Sequence, residues 1–325
     1  MEAAASTVTE LVDFLVRAKC TTLHACELKL FGAAAERVAI ALASNTSVRT
    51  LRLNECDVDN KVGSLLAEAL EENRCLRVLS LCRNRIGPAG AAKLAEVLKT
   101  NNSLTKLDLS KNPLGDEGAE NLAAGLCQSR ALSSLDLQVT QIGDAGAVAL
   151  AASLQEARLR ELHLRDNLIG DKGAQSLADA LHCSTLALLD LSFNRHIGAL
   201  GVQKLTEAVE QSDTITVLAV HGFRRSRQEI TRLEAALDKN KRTQVLTLHC
   251  IPDGELCKAS CTQMSGAELL ELSLAPETPL WQVFASVAEA MTQPADSLRL
   301  ITSAGQEILS NSQESLESIS CPIRA

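Results

Sequence analysis

One short unit recurs along most of this 325-residue chain. The segment Leu79-Ser80-Leu81 through Asn84, Ile86 and Gly87 returns as Leu107-Asp108-Leu109 through Asn112, Leu114 and Gly115. It returns again from Leu135 to Gly143, from Leu162 to Gly170 and, with one extra residue, from Leu189 to Gly198. Weaker copies start at Leu23, Leu51 and Leu218, and a last strand is expected at Val245 to Leu248. The eight starts are thus Leu23, Leu51, Leu79, Leu107, Leu135, Leu162, Leu189 and Leu218, at nearly constant spacing. A unit this thin cannot enclose a core, so its apolar face is covered only by its neighbours, and the chain must stack.

Each unit divides in two. The Leu-x-Leu piece alternates, which predicts a short strand with both leucines inward. The second piece, of which Leu94-Ala95-Glu96-Val97-Leu98 is typical, puts apolar residues at i and i+4 on one helix face. The alanines between them let the helix lie close to the strands. Aromatic residues are only 2% of the chain, as leucine-and-alanine packing in a regular stack allows. Asp116, Asp144 and Asp171 each follow a glycine and precede a helical piece, where N-caps are expected. Asn84, Asn112, Asn167 and Asn194 follow the strands, where a side-chain amide can bond turn backbone; Cys56 and Thr140 stand at the same register. Thr7 to Glu10 is a capping box opening a helix with Leu11, Phe14 and Leu15 on one face, read as the cover of the first repeat.

These motifs resemble the leucine-rich repeat family, in the long-repeat subtype of the ribonuclease inhibitors, also found in NOD-like receptors and in the Ran GTPase-activating protein. The resemblance implies an α/β solenoid with parallel inner strands, outer helices and a concave face that takes protein ligands. The expected organisation is a capping helix at 1–19, repeats at 20–250 and a second domain at 251–325.

Composition changes in that last segment. It holds five of the seven prolines, the sole tryptophan (Trp281), ten acidic residues and only three basic ones. Glu268 to Leu274 alternates as a strand, Ala275 to Thr278 is a turn, Leu280, Val283 and Val287 share a helix face, and Leu298 to Ile301 is a further strand. Leu256 to Cys261 supplies a first strand. This order is similar to the ubiquitin-like β-grasp, a small α+β fold. By that resemblance Ile301 matches the ubiquitin surface isoleucine. The segment has no evident last strand before Ala325 and no C-terminal Gly-Gly.

Several function classes lose their support. The net charge of −8 and a pI near 5.4 disfavour nucleic acid as the main partner. No apolar run of about 18 residues predicts a membrane span, and the first residues do not read as a secretory signal. Eleven scattered cysteines then read as reduced thiols, with a cytoplasmic or nuclear location expected. On that reading the sequons at Asn45 and Asn101 carry no sugar. No phosphate-binding loop, H-E-x-x-H or G-x-S-x-G motif occurs. His249, Cys250, Cys257 and Cys261 lie close together, but their irregular spacing favours plain thiols over a zinc site. No catalytic residue, metal or cofactor is expected.

The candidate surface is the concave sheet. Asp108, Asp136, Glu161 and Asp190 make an acidic centre with His163, bordered by Lys106, Lys111 and Arg165. These acids read either as solvated charge or as a docking surface for a basic partner patch. Leu188, Val217 and Val245, with Phe193 beside them, form an adjoining apolar column, open to the C-terminal domain or to an outside partner. The expected molecule is a monomeric, non-enzymatic adaptor that binds a protein. A GTPase regulator like the Ran activator, or a ciliary or cytoskeletal scaffold, is the alternative.

Overall fold

The computed structural model describes residues 2–17, 20–212, 214–220, 232, 236–237 and 287, together with the backbone of 244–253, 256–263, 268–274, 298–302 and 307–308. Two compact units divide at 237/238.

The first unit holds a nine-stranded, all-parallel sheet in sequential order. Its strands are β1 (Glu2–Ala5), β2 (Thr22–Ala25), β3 (Thr50–Arg52), β4 (Val78–Ser80), β5 (Lys106–Asp108), β6 (Ser134–Asp136), β7 (Glu161–His163), β8 (Leu188–Asp190) and β9 (Val217–Ala219). A helix follows each of the first eight: α1 (Val8–Arg17), α2 (Ala33–Ser44), α3 (Asn60–Glu72), α4 (Pro88–Leu98), α5 (Gly115–Leu126), α6 (Asp144–Ser153), α7 (Asp171–Leu181) and α8 (Ala199–Gln211). The register repeats without slip: Leu23, Leu51, Leu79, Leu107, Leu135, Leu162, Leu189 and Leu218 pair in one line across the sheet. Those leucines are buried, and with Leu66, Leu94, Leu122, Leu150 and Leu177 of the helices they form one continuous core. The strand-then-helix alternation of an α/β leucine-rich repeat solenoid is therefore present.

The N-terminal cover differs from expectation. Glu2–Ala5 is a strand, paired in parallel with β2, so a strand precedes the helix as in the later units. Its Glu-Ala-Ala-Ala sequence has no Leu-x-Leu signal. The capping box is also displaced: Thr7 Oγ1 accepts from the Glu10 N–H at 3.2 Å, but the Glu10 carboxylate accepts from Ser6 N–H at 2.8 Å.

The asparagines stitch one unit to the next. Asn84 Oδ1 accepts from the N–H groups of Cys56 and Val58 at 2.9 and 3.0 Å, and its amide donates to the carbonyls of Leu53 and Leu81. Asn167 does the same for Thr140, Ile142, Leu137 and Leu164. A second ladder, not read from the sequence, runs past the helix ends. Asn73 donates to Leu42 O at 2.7 Å and accepts from Leu76 N–H, and Asn101 repeats this one unit on. Asn45 and Asn101, the sequon asparagines, are buried with both ends of the amide engaged, so neither presents a free nitrogen.

Asp116, Asp144 and Asp171 do not cap their own helices. Each caps the helix of the next unit. Asp144 Oδ1 accepts from Gly170 and Gly173 N–H, both at 2.8 Å, and Asp116 and Asp171 treat Gly143/Gly146 and Gly198/Gly201 alike. Asn60 holds Gly87 and Gly90 in the same way. The donors are the orphan N–H groups of a helix start, where an anion is favoured. The arrangement also fixes the glycine: a Cβ at Gly173 would lie 2.8 Å from Asp144 Oδ1 and from Ile169 Cγ2.

The second unit contains β10 (Gln244–Asp253), β11 (Leu256–Gln263), β12 (Glu268–Leu274), β13 (Leu298–Thr302) and β14 (Glu307–Ile308), in the order β12-β11-β10-β13-β14. Val245 to Leu248, expected to close the repeat series, belongs instead to this sheet. It pairs antiparallel with β11 and parallel with β13. An alternating apolar strand carries no label for which sheet it joins, which is why the sequence misplaces it. Val287, expected on the inward helix face, is buried.

Candidate functional site

Away from the helices, the repeat sheet presents two columns of side chains flanking the line of buried leucines. Lys106, Glu161, Leu188 and Val217 lie in the first, and Asp108, Asp136, His163 and Asp190 in the second. Arg165 follows β7 by two residues, while Lys111 and Phe193 lie three residues past β5 and β8. Eleven of the expected residues thus share one surface, where Asp108, Asp136, Glu161, His163 and Asp190 are half-buried. Val245 and Ile301 lie in β10 and β13 of the second unit, and their side chains fall outside the described residues, as do those of His249, Cys250, Cys257 and Cys261.

The aspartates share a structural duty. Asp108, Asp136 and Asp190 each accept from the backbone N–H two residues on, at Ser110, Gln138 and Ser192, at 2.9 to 3.0 Å. This closes the strand end, where the ladder lacks a partner. The recurring Asp-Leu-Ser and Asp-Leu-Gln triplets are the sequence signal for it. The second oxygen faces local donors: Ser80 Oγ at 2.6 Å for Asp108, and Gln138 Nε2 at 3.0 Å for Asp136.

No cation neutralises these three aspartates by an ion pair among the described residues, whereas Lys106 bonds Glu161 at 3.1 Å across the intervening strand. Arg165 is engaged elsewhere, 4.4 Å from the ring centre of Phe193. Burial, joined by the neighbouring negative charge of Asp108, raises the Asp136 carboxyl above the usual carboxylate range. Glu161 is held below it, by the Ser134 hydroxyl first and then by Lys106. Two like carboxylates in adjacent register, Asp108 beside Asp136, are thus left for a cation from outside.

One further feature has no signal in the sequence. Glu27, Glu55, Arg83, Lys111, Val139, Asp166 and Phe193 all have φ between 54° and 64°. The left-handed conformation recurs at one register in the turns that follow β2 to β8. Glycine would signal such a position, but none stands there. Val139, a β-branched residue, is the most strained occupant. It is also exposed, on the rim between Lys111 and Phe193.

No group of three or more His, Cys, Asp or Glu is placed to hold a metal among the described residues. No helix among them is long and apolar enough to cross a membrane. The seven described cysteines are free thiols. A family model described as Leucine Rich repeat matches residues 72–95, 100–123, 128–151, 159–178 and 182–205, inside the sheet's central units. No curated protein matches the sequence. Among solved structures, Leiomodin-1 Actin-Binding Site 2 overlaps 46% of this chain and 72% of its own, at 18% identity and a TM-score of 0.32. The Caenorhabditis elegans tropomodulin C-terminal domain overlaps 72% of this chain and 93% of its own, at 11% identity and a TM-score of 0.25. Both overlaps are too loose to bear on fold or partner.

Proposed function

We propose that this chain is a non-enzymatic, monomeric adaptor of the long-repeat, ribonuclease-inhibitor-like kind, which binds a protein partner on the open, concave face of its repeat sheet. The observation that carries the reading is that Asp108 and Asp136 stand in adjacent register with no ion-pair partner among the described residues, next to half-buried Leu188 and Phe193 and exposed Val217. A charged centre beside apolar anchors on a rigid surface suits a partner that brings Lys or Arg together with an apolar side chain. The strands are pinned by asparagine ladders after the strands and past the helix ends, so little ordering is required on binding.

The second unit is read as a ubiquitin-like β-grasp that adds a contact surface of its own. Its mixed sheet with a parallel central pair, β10 and β13, supports this. So does the parallel relation of β12 and β13, which requires a crossover where the helix with Val287 is expected. Ile301 is the residue proposed to contact a ubiquitin receptor, in a cytoplasmic or nuclear setting. Pull-down by the full chain, compared with Asp108→Lys and Val217→Asp variants of equal stability, tests the adaptor reading. Partners that both variants lose support it, and partners that both retain overturn it.

A further inference from the structure

The outer surface of the helix layer contains its own control, because every outward position recurs from unit to unit. The register of Ile40 in α2 is filled by Glu68, Glu96, Asp179 and Glu207 in other helices, and by alanine at 124 and 152. The register of Leu65 in α3 is filled by Arg37, Lys93, Asn121, Ser176 and Lys204, and by alanine at 149. Where both positions are charged they pair: Lys93 bonds Glu96 at 3.2 Å and Lys204 bonds Glu207 at 2.8 Å. Only between α2 and α3 do a large isoleucine and a large leucine replace them.

The result is a groove of about 510 Å³ between the two helices, floored by Ala39, Ala43 and Ala69 and walled by Ile40 and Leu65. Ile40 is 72% exposed, more than any other large apolar side chain among the described residues. Glu36, Glu68 and Glu72 line the same groove. Among the described residues none of the three has an ion-pair partner, and Glu68 lacks the lysine that its counterparts Glu96 and Glu207 possess. The lining runs from Glu36 to Ser44 and from Leu65 to Glu72, which gives the groove a length of roughly 13 Å, about two turns of a docked helix.

We infer that this groove is a second docking site, independent of the strand face, for an amphipathic helix of a partner protein that carries apolar residues one turn apart and lysine or arginine beside them. The apolar walls take the stripe and the three glutamates take the flanking cations. A neutral or acidic helix would leave those carboxylates beside an apolar seat with no counter-charge.

The probe is a synthetic 14-residue helical peptide with leucines at i, i+3, i+4 and i+7 and lysines elsewhere, titrated onto the full chain by fluorescence anisotropy. The disrupting variant is Ile40→Glu/Leu65→Lys, which restores the pairing seen in α4 and α8 and therefore keeps the fold, as an unchanged urea midpoint will confirm. The expected result is saturable one-to-one binding, weakened about tenfold or more by the double variant and absent for the same peptide with glutamate in place of lysine. Three results would overturn the inference: no saturable binding up to about 1 mM peptide, equal binding by the double variant, or loss of binding only when Asp108 and Asp136 are neutralised. Sedimentation adds a fourth, since a wild-type dimer that the double variant dissolves would make the occupant a second copy of this chain.

Discussion

Replacing Asp144 tests how the units of this solenoid hold one another. Its carboxylate sits in α6, yet its two acceptances, from Gly170 and Gly173 at 2.8 Å, both serve α7. Asp144→Ala leaves two helix-start N–H groups without their partner. Losing a capping side chain costs about 0.5–2 kcal/mol, and a hydrogen bond to a charged group contributes about 1.5–3 kcal/mol. Since water reaches this half-buried site, about 2 kcal/mol is expected. Asp144→Asn keeps an acceptor of the shape that Asn60 uses toward Gly87 and Gly90, at 2.7 and 3.0 Å. It forfeits only the charge–dipole part, about 0.3–1 kcal/mol. Urea titration followed by far-ultraviolet circular dichroism reads the difference: with an m-value of about 3 kcal/mol/M, the alanine variant shifts the midpoint by about 0.7 M and the asparagine variant by about half of that or less. Hydrogen exchange locates the loss, with faster exchange at the start of α7 and not of α6. The reasoning would be refuted by an asparagine variant as weak as alanine. It would equally be refuted by an alanine variant within about 0.5 kcal/mol of wild type, the range of an ordinary surface substitution.

Other substitutions probe separate features. Gly173→Ala should destabilise by about 1–3 kcal/mol despite alanine's better helix propensity, because its Cβ would meet Asp144 Oδ1 and Ile169 Cγ2 at 2.8 Å; thermal unfolding checks this. Val139→Gly should stabilise by up to about 1 kcal/mol, read as a higher urea midpoint, because φ of 57° strains a β-branched residue. Asp136 has a raised folded-state pKa, so the folded chain binds more protons there than the unfolded one. Stability from this site is greatest at low pH and falls as pH rises from the ordinary carboxylate range through the folded value. Asp108→Asn should lower the Asp136 midpoint read by NMR without returning it to the ordinary value, since burial is the larger cause. Burial pushes the Cys56 thiol up to about 11, whereas Cys26 and Cys183 are exposed; iodoacetamide mapping at neutral pH should modify the latter two first.

The repeat is legible because burial is periodic: a Leu-x-Leu strand and an i, i+4 helix face return with one spacing, and packing admits little else. Three features are not. β1 has alanines where later strands have leucines, so it carries no Leu-x-Leu signal. The acids at the helix starts read as caps of their own helices, since a sequence shows the neighbour along the chain and not the one stacked a repeat away. Val245 to Leu248 has the pattern of a repeat strand but pairs in another sheet, and that choice is made by tertiary partners. The candidate surface is legible to the extent that strand alternation separates inward from outward residues. Only the recurring Asp-Leu-Ser and Asp-Leu-Gln triplets signal that Asp108, Asp136 and Asp190 also close their own strand ends, so exposure to a partner and support of the turn rest on the same carboxylates.

The claim that the strand face is the docking surface is tested most directly by hydrogen exchange of the full chain with and without a partner it captures. Protection should appear at 106–111, 134–139, 161–166 and 188–193, where the half-buried acids and their bordering cations stand, and should be lost with Asp108→Lys. Protection that avoids all four segments, or that persists unchanged in that variant, would contradict the account.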